Sequence, residues 1–392
     1  MIVPTLLHLW KTSTAIQDAR TTWPINDGSN TNRTCLQHPP LRAHQSKLND
    51  LKSTTTNYTI LQQPTPLRCG NLRRSWTNVT SLSPLAQELL EWQADCSIPT
   101  ATFHLDNSFG FGSHLYLFSQ ALCNAIEMKI RVRTVLVDDE PWLWWDQYHC
   151  GQTDSNKAIV QSPWDCYFPL AEPSCPISSV SNVNITNPRN PRLRCQRLRN
   201  NETAVQEFRA ATIEYLFHAV SPLVLEEASR QIGLLFPNGQ APPDLITVHI
   251  RWGDKFWEMD LVPIAEYIQA VEQLVASSTD VHIYLATEDP RATEEFVTSA
   301  PLHWNIYIDR TLVELKDVRP NKGNRASWMT KNTEGRAGLM NVASWLIALE
   351  ANRFVLTTAS NWSRIVNDLR KNVIDPRCGN CTQVIDLRPG IW

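Results

Sequence analysis

The second half of the chain alternates strand-like and helix-like segments, and that alternation leaves few folds open. Leu245, Ile246, Thr247 and Val248 form a largely apolar run, which reads as a strand buried on both faces. A helix begun by Pro263 follows, with Ile264, Ile268, Val271, Leu274 and Val275 on its apolar side. The pattern then predicts a strand over 281–286, a helix after Pro290, a short strand over 305–308, a helix over about 335–351, a strand over 354–357 and a helix over 362–370. Parallel strands need long crossover connections, and helices supply them. The expectation is a parallel sheet with helices on both faces.

The first half repeats the theme less regularly. Ser83 and Pro84 mark a helix start, as cap and first helical residue. A strand over 101–105, the loop Asn107-Ser108-Phe109-Gly110-Phe111-Gly112-Ser113, a helix to about Met128 and a strand over 132–137 make a β-loop-α-β unit with glycines at the strand-to-helix junction. Residues 140–200 read as irregular, rich in Cys, Trp and Pro, and a long helix is expected over about 203–234. The organisation expected is a stem or poorly ordered lead-in over 1–80, an N-terminal α/β domain with a Cys/Trp-rich insertion and bridging helix over 81–240, and a Rossmann-like domain over 241–392. The fold class is α/β, two Rossmann-like domains facing a cleft.

Ten cysteines are scattered along the chain, eight before residue 200, without zinc-finger spacing; Cys378-Gly379-Asn380-Cys381 is a lone CxxC. Seven Asn-X-Ser/Thr sequons accompany them, at Asn32, Asn57, Asn78, Asn184, Asn201, Asn361 and Asn380. Together they point to disulfides and a secretory-pathway lumen. Residues 2–10 form an apolar run too short to span a bilayer, interrupted by Pro4 and His8. No anchor or signal is read from this sequence. The net charge of −3 and the lack of a basic block argue against nucleic acid as a partner.

His249-Ile250-Arg251-Trp252-Gly253-Asp254-Lys255 ends the first strand of the second half. In open α/β sheets ligands bind at the carboxyl ends of strands. Two cations there suit a phosphate-bearing ligand, since a guanidinium can grip a diphosphate through two parallel hydrogen bonds. A solvated strand end with local ion pairs is the plainer reading of the heptapeptide alone.

Further residues carry a resemblance. His249 to Lys255, with Pro263-Ile264 and Glu266-Tyr267, resembles the first signature of the α1,6-fucosyltransferases that act on the N-glycan core. Ile283-Tyr284-Leu285-Ala286-Thr287-Glu288-Asp289-Pro290 is similar to their second, and Thr357 through Ser360-Asn361 to Arg364 to their third. Upstream, Gly110-Phe111-Gly112-Ser113-His114-Leu115 resembles their glycine loop, and Arg133-Thr134-Val135-Leu136 the strand after it. These segments span about residues 100–370 in matching order.

The resemblance implies a GT-B-like fold and GDP-fucose as donor, with inversion at the anomeric carbon and no metal or other cofactor. No Asp-X-Asp is present, and Asp138-Asp139-Glu140 is the nearest acidic cluster. A base must take the acceptor proton as the hydroxyl attacks. Glu258 is the candidate, with Asp260 as fallback because the stretch to Pro263 is one residue shorter than in the animal core enzymes. Arg251 would clamp the diphosphate and Lys255 would support it or polarise the base. Gly110 and Gly112 would let backbone N–H groups approach phosphate. Ser360 and Asn361 would bond phosphate or ribose, and His249 would contact guanine or serve as a satisfied strand-end histidine. Asp289, beside Glu288, joins the donor-binding set by ordering the cleft.

Two departures from the family stand out: Trp252 replaces a second Arg, and Ser344, near Asn341, replaces a guanine-contacting Asp. Trp142, Trp144, Trp145 and Trp257 are candidates for an acceptor groove, although a Trp more often fills a core. The function expected is transfer of fucose to a GlcNAc 6-hydroxyl of a glycan or glycoprotein in the Golgi or another secretory lumen. The alternatives are a protein O-fucosyltransferase, a chitooligosaccharide fucosyltransferase, or a non-catalytic nucleotide-sugar- or glycan-binding relative. A homodimer is left open as the quaternary state.

Overall fold

The computed structural model describes residues 82–105, 109–136, 142–150, 162–173, 175, 180–185, 201–257, 259–275, 280–315, 332–378 and 382–390. The lead-in over 1–80, Asp138-Asp139-Glu140, Glu258 and Cys381 lie outside the described residues.

The first half builds a three-stranded parallel sheet. Helix α1 (Pro84–Ala94) starts where expected, with the Ser83 hydroxyl accepting from the Ala86 N–H at 3.3 Å. Strand β1 (Thr100–Leu105) leads into helix α2 (Phe111–Glu127) and then strand β2 (Arg131–Leu136). A single helical turn, α3 (Gln147–Cys150), precedes strand β3 (Val180–Ile185), and the spatial order is β2-β1-β3. β3 falls within the stretch read as irregular. It pairs with β1 across a register shift between Thr100 and Thr102.

Side chains satisfy the open edge of β2. The Gln93 amide donates to the Val132 carbonyl at 3.3 Å and accepts from the Val132 N–H at 3.1 Å, as a neighbouring strand would. One residue pair along, the Glu172 carboxylate accepts from the Thr134 N–H at 2.9 Å.

The long helix expected over 203–234 is two helices, α4 (Glu202–Phe217) and α5 (Pro222–Leu235). Ser221-Pro222 divides them, because Pro222 has no N–H to continue the first helix and is pre-set to start the second. The Glu214 carboxylate on α4 accepts from the Ser83 N–H at 2.7 Å and the Ser83 hydroxyl at 2.6 Å, which ties α1 to α4.

The second half forms a five-stranded, all-parallel sheet. Its strands are β4 (Ile246–Ile250), β5 (Val281–Thr287), β6 (Trp304–Ile308), β7 (Arg353–Leu356) and β8 (Gln383–Asp386). The order β6-β5-β4-β7-β8 is the doubly wound one, counted outward from the first strand in both directions. Every β4 residue is buried, as its apolar run requires. Helices α6 (Ile264–Val275), α7 (Pro290–Ser299), α8 (Arg310–Glu314), α9 (Arg336–Ala348) and α10 (Asn361–Leu369) make the connections. The expected α/β architecture with parallel sheets is present in both halves. β8 is a short edge strand that the pattern does not signal. Among the described residues no helix is long and apolar enough to cross a membrane.

The larger hydrophobic cluster lies against both sheets, from Ala86 on α1 to Ile374 beyond α10, and a second, around Ile246, Val248, Ile283 and Val355, covers the other face of the larger sheet. At the centre of the larger cluster Phe111 packs against Trp142, Trp144, Tyr167 and Trp345. Trp142 and Trp144 are fully buried, so they line no acceptor groove. Three of the buried indoles have an acceptor: His114 Nδ1 for Trp142, the Phe109 carbonyl for Trp144 and Thr134 Oγ1 for Trp164. Among the described residues the disulfides Cys96–Cys175 and Cys150–Cys166 fasten this loop-rich region. In a chain-entropy account the longer loop is worth about 4.5 kcal/mol and the shorter about 3 kcal/mol. Their formation fits an oxidising compartment.

Helix α9 lies on the backbone of the Trp-rich segment. A Cβ on Gly338 would stand 2.0 Å from the Trp144 carbonyl oxygen. Gly338→Ala is expected to cost about 3 kcal/mol through overpacking, read as a fall of several degrees in Tm.

Asp165 gives a second expectation. Burial raises its carboxyl to about 7 against the opposing pull of Arg133, with Glu172 adding to the rise. The folded state therefore holds a proton that the unfolded state has lost between about pH 4 and pH 7, and stability from this group falls as pH rises through that window. Asp165→Asn keeps an acceptor for the Ser162 N–H. In urea unfolding the variant should be more stable than the parent at pH 8 and nearly equal to it at pH 4.

Candidate functional site

In a doubly wound sheet the crevice opens where the strand order reverses, here between β4 and β7. Tyr267 of α6 pins the two strand ends from below. Its hydroxyl takes the Arg251 backbone N–H and lies 2.9 Å from Thr357 Oγ1, and burial pushes the phenol up to about 12. The strand ends thus cannot spread without breaking a buried hydrogen bond.

His249, the penultimate residue of β4, is buried and stacks on Trp362 of α10 with ring centroids 4.3 Å apart. Its Nδ1 lies 2.7 Å from Ser363 Oγ, which accepts from the Thr357 N–H at 3.0 Å. The serine hydroxyl therefore has its proton for Nδ1. A neutral imidazole protonated at Nε2 meets this pattern, and burial together with the Arg251 charge holds the histidine well below its usual range. His249 is a satisfied strand-end histidine on this face, locked to α10.

Arg251 follows. Its Nη1 donates to the Trp252 carbonyl at 2.9 Å and forms an ion pair with Glu288 from the end of β5. The turn is built around that pair. Gly253 has φ of +73°, and a Cβ there would sit 3.4 Å from Glu288 Oε1 and 3.6 Å from Arg251 Nη1. Its N–H donates to Asp289 Oδ2 at 3.1 Å. Lys255 lies in the 3₁₀ turn Gly253–Trp257 that continues from there.

Asp289 caps α7 through the Arg291 N–H at 2.9 Å and accepts from the Arg291 side chain at 2.7 Å. Burial raises this carboxyl, but the Arg291 bonds and charge and the Gly253 bond outweigh it and hold it below its ordinary value. Its hydrogen bonds order the turn. Trp252, which stands where the resemblance has a second Arg, packs partly buried against the cluster that includes Val248, Ile250 and Val262 and donates from Nε1 to the Val262 carbonyl at 2.9 Å.

The loop after β7 carries Ser360, which is buried and precedes α10 as its N-cap residue. Asn361 begins that helix, and its Nδ2 donates to Ser113 Oγ on α2 at 2.8 Å. Gly112 explains the close approach: a Cβ there would lie 3.1 Å from Asn361 Cβ and 3.2 Å from Ile365 Cδ1. Its glycine is a helix–helix contact. Gly110, the N-cap residue of α2, has nothing within 4 Å of a built Cβ, so its backbone is open to approach.

Four segments far apart in the chain thus meet at one place: the ends of β4, β5 and β7 and the glycine loop. The helices α2 and α10 start there, and each presents unpaired N–H groups and the positive end of its dipole. With Arg251 this makes an anion-seeking crevice.

A carboxylate also stands beside Ser344. Asp309, at the end of β6, is buried and accepts from the Tyr284 hydroxyl at 2.6 Å, from the Thr311 N–H at 2.7 Å and from the Ser344 hydroxyl. Asp309-Arg310-Thr311 after an apolar strand was the available signal, a helix cap that doubles as a buried acceptor.

No family model and no curated protein matches the chain. Among solved structures it is similar to the fucosyltransferase NodZ from Bradyrhizobium, at 12% identity over 69% of this chain and 92% of that one, with a TM-score of 0.36. It is also similar to POFUT1 in its apo form, at 12% identity over 70% of this chain and 95% of that one, with a TM-score of 0.35. The match to POFUT1 in complex with GDP has 12% identity over 73% and 98%, with a TM-score of 0.37.

Proposed function

We propose that the protein is a glycosyltransferase that moves fucose from GDP-fucose to a GlcNAc 6-hydroxyl of a glycan, with inversion and without a metal, in the Golgi or another secretory lumen. The observation that carries this reading is the convergence of Arg251 and two helix N-termini at the switch point of the doubly wound sheet. The residues there are those in which the chain resembles the α1,6-fucosyltransferases.

In this reading the diphosphate lies across the starts of α2 and α10, against Arg251. Glu288 pairs with the guanidinium through Nη1. As the acceptor oxygen attacks the anomeric carbon, the bond to the diphosphate oxygen breaks and GDP leaves with the electron pair. The acceptor proton passes to a carboxylate, assigned to Glu258. Fixed positive charge acts where the leaving group becomes more negative. Lys255 adds a second cation. His249, neutral and tied to Ser363, shapes the wall and takes no part in the proton transfer.

A second reading keeps the donor crevice without turnover. The packing of Trp252, which leaves one strand-end arginine at the crevice, favours it.

Calorimetric titration with GDP, GDP-fucose and UDP-sugars tests the donor. Selective GDP binding is expected, weakened at least about tenfold in Arg251→Ala by loss of a charge-assisted contact. A preference for a uridine sugar would overturn the donor assignment. Glu258→Gln should retain GDP affinity and lose transfer. GDP binding with no transfer by the parent to glycan, chitooligosaccharide or folded-domain acceptors would favour the binding-only reading.

A further inference from the structure

Behind the crevice a half-buried network joins the two halves of the chain. Arg364 on α10 donates from Nη1 to Asn361 Oδ1 and from Nη2 to the Thr358 carbonyl, each at 2.9 Å. Its guanidinium carbon lies 5.4 Å from the centre of the Tyr116 ring on α2. The Tyr116 hydroxyl donates to Asp368 Oδ2 on α10 at 2.8 Å, which holds the ring under the guanidinium. Asn361, oriented by Arg364, reaches Ser113 on α2. One side chain therefore touches the start of α10, the loop after β7 and the face of α2.

The contacts suit a guanidinium and no other group. Two donors of the planar fork go to two acceptors in different segments, while the face of the same plane stacks on an aromatic ring. A lysine would keep the charge and lose the fork. The loop it grips is held from the other side as well. The Thr358 N–H donates to Asp386 Oδ1 at 3.0 Å, the Ala359 N–H to the Arg388 carbonyl at 2.9 Å, and the Gly390 N–H to Thr358 Oγ1 at 3.1 Å. A Cβ on Gly390 would come within 2.8 Å of Arg364 Nη2, so the tail packs directly on the guanidinium.

We propose that Arg364 is a positioning residue that, through Asn361, Thr358 and the Tyr116 ring, holds the first turns of α2 and α10 in one fixed relation so that both helix N-termini address the same phosphate group. This rests on the donor reading above. Arg364 acts through the backbone it holds. An error of an ångström in either helix start would aim its N–H groups away from the ligand.

Arg364→Ala, Arg364→Lys and Tyr116→Phe test it, with Tm measured for each. Three quantities are read: GDP affinity by calorimetry, donor KM against kcat, and amide hydrogen exchange in the first turn of α2 without ligand. Arg364→Ala should weaken GDP binding about tenfold and raise donor KM by a similar factor, with kcat falling less than KM rises. Arg364→Lys should fail to restore either. Exchange of the α2 amides over 113–115 should accelerate although the substitution lies on α10. Tyr116→Phe, which keeps the ring and loses the Asp368 bond, should show a smaller change in the same direction. Unchanged GDP affinity in folded Arg364→Ala, or full rescue by lysine, would overturn the proposal. If the parent protein binds no GDP, the donor reading fails. The exchange measurement then decides, and acceleration confined to α10 rejects the coupling.

Discussion

Two helix N-termini set against each other form the constraint on which the rest of the site depends. Like ends of two dipoles repel, and each leaves N–H groups unpaired. The contact between α2 and α10 survives because Gly112 has no side chain to keep the helices apart and because the Ser113–Asn361 bond crosses the gap. The buried aromatic cluster around Phe111, the first residue of α2, then anchors that helix start in the common core. An electrostatically unfavourable pairing is thereby built into the native state by packing. Such a place is ready for an anion without rearrangement.

The strand ends obey the same economy. Tyr267 joins β4 to β7 beneath the crevice, and His249 joins β4 to α10 through Trp362 and Ser363. Few polar atoms in this layer serve one purpose. Asp289 caps a helix, holds Arg291 and closes the Gly253 turn. Asp309 caps α8 and receives two hydroxyls. A polar group withdrawn from water must be satisfied, so buried acceptors gather several donors.

Legibility from sequence followed burial and locality. β4, β5 and β7 are mostly apolar because both faces are covered, and the doubly wound half was readable from them. β8, a four-residue edge strand with half its residues exposed, is not. β3 sits among cysteines and prolines that mask its pattern. The break at Ser221-Pro222 has the same form as the start at Ser83-Pro84, yet the apolar face running through it suggested one helix. At the site, the strand-end residues were readable because each follows its strand directly. Asn361 with Ser113, or Arg364 with Tyr116, lie on opposite halves of the chain, and no local pattern links them. The roles of Gly112 and Gly253 were visible as glycine but not as the particular close contacts that demand it.

The Gln93 and Glu172 bonds to β2 have a meaning beyond local satisfaction. A bare strand edge is a template on which any extended peptide can lie. On β2 the backbone groups of Val132 and the Thr134 N–H are already taken by side chains from α1 and from the segment after Phe168. The small sheet is closed to growth on that side. Neither a second molecule nor a stray strand of the same chain can add to it there without first displacing a buried amide and a buried carboxylate.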